Sequence, residues 1–94
     1  MKVIHKMKVE ITDEQTLFIK GTKVLHFANQ NGNLCVWYET DSDLLDMLEM
    51  EYTLCIVGTG SPICFDEKNY WYDYVTTVQI NGLVWHLYHK WAIG

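Results

Sequence analysis

Ninety-four residues with 12 acidic and seven basic side chains, a formal charge of -5 and 49% apolar content make one domain, residues 1–94, with enough apolar mass for a single core. They exclude a disordered chain. All seven basic residues are lysines, so the forked guanidinium that reads phosphate is missing and extended nucleic-acid binding is not expected.

Lys2 to Ile11 alternates, with Val3, His5, Met7, Val9 and Ile11 on one side and lysines among those opposite, the pattern of a half-buried strand. Thr12-Asp13-Glu14 reads as a polar turn, and Gln15 to Lys20 as a second strand ended by Gly21. Thr22–Asn29 and Asn33–Thr40 form a hairpin about Asn31-Gly32, because Asn-Gly supplies the two positive-φ residues of a type I′ turn. That turn sets Phe27 against Val36 and His26 against Trp37, leaving apolar groups on both faces of the ribbon.

Asp41 to Glu51 breaks the alternation. Asp41 or Ser42 can cap a helix whose stripe is Leu44, Leu45 and Leu48, with Asp43, Asp46, Glu49 and Glu51 on the wet side. A short acidic amphipathic helix is expected there. Tyr52 to Val57 is an apolar run fit for a central strand, stopped by Gly58-Thr59-Gly60-Ser61-Pro62, and Ile63 to Asn69 is a loop.

The last hairpin, Tyr72 to Trp91, turns at Asn81-Gly82. Counting outward pairs Ile80 with Leu83, Val78 with Trp85, Thr76 with Leu87, Tyr74 with His89, Tyr72 with Trp91 and Asp73 with Lys90. Tyr72, Tyr74, Trp85 and Trp91 then share one face, and Trp71 and Tyr88 take the other. Seven strands, six of them in three hairpins or adjacent pairs, predict an all-β fold: an antiparallel β-sandwich or flattened barrel with one short inserted acidic helix.

Reaction chemistry is thinly represented. Gly58, Thr59, Gly60 and Ser61 offer a nest of backbone N–H groups for an anion, but such loops usually open a helix, and Pro62 follows here; a plain turn is the expected reading. His86 and His89 point to opposite faces of a strand and cannot share an ion, so no metal or other cofactor is expected. Cys35, Cys55 and Cys64 lack a C-x-x-C pair and suit a reducing compartment. There is no paired-carboxylate motif, serine elbow or Walker loop, and the chain is not expected to be an enzyme. No apolar run approaches the roughly 20 residues that cross a bilayer, and nothing reads as a signal peptide.

Four stretches carry a resemblance: Lys2-Val3-Ile4-His5-Lys6; Gln30-Asn31-Gly32 with Cys35 and Trp37; Ile56-Val57-Gly58-Thr59-Gly60-Ser61-Pro62-Ile63; and Thr77-Val78-Gln79 with Leu83-Val84-Trp85-His86. In them the chain resembles a family of small proteins encoded by tailed phages and prophages. The resemblance implies a viral protein and lends no catalytic residue. The chain departs from that pattern in the acidic segment from Asp43 to Glu51 and in the tail beyond Tyr88.

Together these features point to a non-catalytic phage protein in the host cell cytoplasm that binds a host protein with a basic surface, as an inhibitor of anti-phage defence. Asp43, Leu44, Asp46, Met47, Glu49, Trp71 and Tyr88 are the expected partner-binding residues. One alternative is a homo-oligomeric sponge that holds a nucleotide immune signal on Gly58, Thr59, Gly60 and Ser61. Another is a structural or assembly component of the phage.

Overall fold

Both Asn-Gly dipeptides turn as their chemistry demands: Asn31 and Asn81 sit at φ 54° and 52°, Gly32 and Gly82 at 87° and 81°. Each closes a two-residue loop between long strands. The computed structural model describes residues 1–43 and 49–94. It contains β1 (Lys2–Lys8), β2 (Glu14–Ile19), β3 (Lys23–Gln30), β4 (Asn33–Asp41), β5 (Met50–Gly58), β6 (Tyr70–Ile80) and β7 (Leu83–Ala92).

The strands form two antiparallel sheets, β1-β4-β3 and β2-β5-β7-β6, packed as a sandwich. Period-two patterning fills the space between them. Val9, Leu17, Ile19, Phe27, Leu34, Val36, Leu54, Ile56, Val78, Ile80 and Leu87 form one buried cluster, drawn from both sheets. At roughly 25 cal/mol per Å² of apolar surface removed from water, this cluster is the main stabilising term. The two hairpin turns meet at one end of the sandwich, where Asn29 donates its side-chain N–H to the Gln79 carbonyl at 2.9 Å.

Several expectations need correction. β1 and β2 are not an adjacent pair: β1 adds to β4 and β2 to β5, so the chain changes sheets between them. The Val9 N–H still reaches the Leu34 carbonyl at 2.8 Å, which ends the first ladder before the crossover. Glu14, expected in the turn, already belongs to β2, where it faces Cys55. The segment expected as a helix is strand at both ends. Asp41 closes β4 opposite Lys2, while Met50 and Glu51 open β5 opposite Ile19 and Phe18. Among the described residues there is no helix; Leu44, Asp46 and Met47, with the rest of 44–48, lie outside them.

The register of the last hairpin holds from Ile80 to Thr76 and then slips. Val75 is a bulge, so Tyr74 faces Tyr88, Asp73 faces His89, Tyr72 faces Lys90 and Trp71 faces Trp91. An extra residue in one strand reverses the alternation beyond it. Trp71 therefore joins Trp85 and Trp91 on the inner side, and Tyr72 and Tyr74 join Tyr88 on the outer side. The β3–β4 hairpin keeps Phe27 against Val36 and His26 against Trp37, and it too slips, at Leu25. The two bulges stand six positions before Asn31 and Asn81, so the hairpins share one geometry.

Candidate functional site

The Val75 bulge creates an aromatic platform at the open end of β6 and β7. Trp71 and Trp91 face each other across the ladder with ring centroids 6.2 Å apart, and they remain 51% and 46% exposed. The Trp91 indole Nε1 donates to Asp73 Oδ2 at 2.7 Å. Among the described residues no lysine or histidine lies within ion-pair distance of that carboxylate. Behind it, His89 stacks on Tyr52 at 3.9 Å, and Tyr52 leans on the core residue Phe27. Burial, with a further push from Asp73, raises the Tyr52 phenol to about 12. Burial also pulls the His89 imidazole below its ordinary value, against the opposing pull of Asp73. The platform is thus two half-open indoles and an anion, seated on neutral rings.

On the outer side of the same sheet, the connection from β5 to β6 folds back as a strap. Phe65 lies flat on Tyr72, centroids 3.9 Å apart and planes 1° from parallel, with its ring set edge-on to Tyr88 at 5.1 Å. The Asp66 N–H donates to the Tyr72 hydroxyl at 3.0 Å, and Asn69 and Tyr70 return their N–H groups to the Asp66 carbonyl. At the other end, Ser61 N–H closes a turn onto the Gly58 carbonyl at 3.0 Å. Held at both ends, the strap encloses a cleft of about 530 Å³ whose lining includes Asp13, Glu14, Cys55, Cys64, Phe65 and Tyr72.

Beside the cleft, Lys90 bonds Glu14 Oε1 at 2.8 Å and lies 4.0 Å from the Tyr70 ring centroid. The Glu14 bond raises the Lys90 ammonium above its usual value. Cys55 directs its thiol to the same Glu14 oxygen at 3.7 Å. Burial first, and the Glu14 charge second, push that thiol up to about 11, so it is protonated and inert at neutral pH.

The glycine loop is committed elsewhere. Thr59 N–H donates to the Val84 carbonyl at 3.1 Å and Ser61 N–H to Gly58, so two of the donors a nest would need are occupied, as in the plain turn expected there. The Thr59 hydroxyl bonds His86 Nε2 at 2.7 Å; His86 Nδ1 bonds the Thr77 hydroxyl at 3.0 Å, and that hydroxyl bonds Tyr74 at 2.7 Å. This chain of four side chains ties the loop to β6 and β7. Among the described residues no group of three His, Cys, Asp or Glu is arranged to hold a metal ion.

Of the residues expected to bind a partner, Trp71 lies on the platform and Tyr88 beneath the strap, on opposite sides of one sheet. Asp43 is exposed and bonds the terminal amine of Met1, and Glu49 is exposed just before β5. Gly58 and Ser61 line the cleft. Sequence reasoning missed Asp73, Trp91, Asp13 and Glu14 as site residues. Asp13 and Glu14 were legible only as a turn, and no residue type announces the bulge that turns Asp73 toward Trp91.

Among the described residues no helix is long and apolar enough to cross a membrane. The family model of a domain of unknown function, DUF7352, matches residues 1–93. No curated protein and no solved structure matches the chain.

Proposed function

The chain belongs to the DUF7352 family, and we propose that it is a non-catalytic binding protein that grips a basic partner protein with the tryptophan–aspartate platform. The observation that carries this reading is Asp73, a carboxylate without a cationic neighbour among the described residues, held by Trp91 and flanked by Trp71. Indole faces attract lysine and arginine cations, and tryptophan is the residue type most enriched in interface hot spots. A net charge of -5 with no arginine steers the chain toward basic surfaces. Taken with the resemblance to phage proteins, the partner is a host protein in the host cytoplasm, and inhibition of an anti-phage defence protein is the form the activity takes.

A nucleotide sponge fits less well. Its phosphates would enter a cleft walled by Asp13 and Glu14, beside a glycine loop with two amides already spent.

The test is affinity capture from host lysate with the intact chain, a Trp71→Ala/Trp91→Ala variant and Asp73→Asn. A discrete host protein held by the intact chain, released by moderate salt and absent with both variants, supports the reading. Equal capture by all three overturns it, and so does the absence of any specific protein. An open, concentration-dependent mass series of the purified chain supports an assembly component instead.

A further inference from the structure

The cleft beneath the strap is a second site, of different chemistry, whose lining includes no residue of the tryptophan platform. Its volume of about 530 Å³ lies within the range of pockets that enclose small organic molecules. Asp13 and Glu14 are adjacent along one wall, and no lysine lines the cleft. Glu14 spends Oε1 on Lys90 and on the Cys55 thiol, while Asp13 has no ion-pair partner among the described residues. An anion entering would meet the Asp13 carboxylate beside the Glu14–Lys90 pair.

The remaining lining carries the rings of Phe65, Tyr72 and Trp85 among aliphatic residues such as Ile56, Val57 and Pro62. Trp85 faces Gly58 in the ladder and reaches the cleft from the inner side at the end of β5. A Cβ on Gly58 would come within 3.1 Å of the Trp85 ring. Aromatic faces beside a carboxylate favour a flat, delocalised cation over a compact, strongly hydrated ammonium, since such a cation gives up less hydration and stacks.

The geometry points to a binding site for a small flat organic cation of the aryl amidine or guanidine class, its charge on Asp13 and Glu14 and its plane against the rings. The pinned strap serves as a preformed roof, so binding does not require the loop to order. This site shares no residue with the tryptophan platform, and either can fail without the other.

Cys64 lies in the strap, lines the cleft and is exposed, whereas Cys35 and Cys55 are buried. Alkylation of Cys64 by iodoacetamide, a neutral reagent, therefore reads occupancy. The probes are benzamidine, its neutral isostere benzamide, and benzoate. Benzamidine is expected to slow Cys64 alkylation several-fold and to raise the melting temperature; benzamide and benzoate are expected to do neither. Asp13→Asn should abolish the protection, while Trp71→Ala/Trp91→Ala should retain it. An alkylation rate unchanged by millimolar benzamidine overturns the proposal, as does equal protection by benzamide. If Asp13→Asn also exposes Cys35 and Cys55, that variant has unfolded, and the three-probe comparison on the intact chain decides.

Discussion

Trp91 hydrogen-bonds Asp73 at 2.7 Å although neither is the other's partner in the ladder, where Trp91 faces Trp71 and Asp73 faces His89. The diagonal bond fixes one carboxylate oxygen against the indole on an exposed face. Trp91→Phe keeps an aromatic ring and removes the donor. The bond is exposed, so stability in urea should fall by no more than about 1 kcal/mol, while affinity for the captured host protein falls further. Equal affinity of the variant and the intact chain would remove the bond from the account of recognition.

Deleting Val75 should restore uninterrupted alternation and exchange the faces of Tyr70 to Tyr74. Tyr72 would leave Phe65, and Trp71 and Asp73 would turn away from Trp91 and His89. The expected outcome is loss of near-ultraviolet circular dichroism from the stacked rings, together with loss of partner capture, with the far-ultraviolet strand signal kept. An unchanged aromatic spectrum would mean that the bulge relocates and does not set the faces.

Gly82→Ala isolates the backbone requirement of the last turn. A Cβ on Gly82 meets nothing within 4 Å, yet its φ is 81°. A side chain in this left-handed region costs about 1–2 kcal/mol. Urea denaturation should show that loss with an unchanged dependence on denaturant; a neutral substitution would imply a different turn.

His89 gives stability a pH dependence of definite sign. Burial against Tyr52 lowers its folded-state value, opposed by Asp73. The unfolded chain therefore takes up the proton first. The contribution of neutral His89 is complete above the ordinary histidine value near 6.5 and is lost as pH falls through that value toward the lower folded one. Melting temperature should fall between pH 7 and pH 5, by less in His89→Gln than in the intact chain. The same fall in both would assign the effect to other groups.

Thiol reactivity follows burial and charge together. In the folded chain iodoacetamide should modify Cys64 and spare Cys35 and Cys55, with Cys55 further protected by a thiol raised to about 11. Peptide mass mapping reads this directly. Modification of Cys55 at the rate of Cys64 would show that the strap opens.

Much of the architecture follows from local rules that the residues carry openly. Leu17 and Ile19 face in, and Phe18 stays 55% exposed, as alternation requires. The two Asn-Gly turns place the inner half of each hairpin in register. What escapes is non-local. Nothing between Lys8 and Glu14 says that β1 and β2 join different sheets, since a short connection serves a hairpin or a crossover equally. Val75 and Leu25 resemble any β-branched or apolar strand residue, and nothing in their residue type marks the extra place each takes in its ladder. The aromatic surplus of the last hairpin was legible; which faces the rings beyond Val75 take was not.

The matched kinks at Leu25 and Val75 interrupt β3 and β6, which lie at the border of their respective sheets on the same flank of the sandwich. A straight border is a template on which identical chains can stack into fibrils, and an added residue twists that template out of line. The distortion that aims Asp73 at its indole thus also bends the open border of its sheet away from such a template.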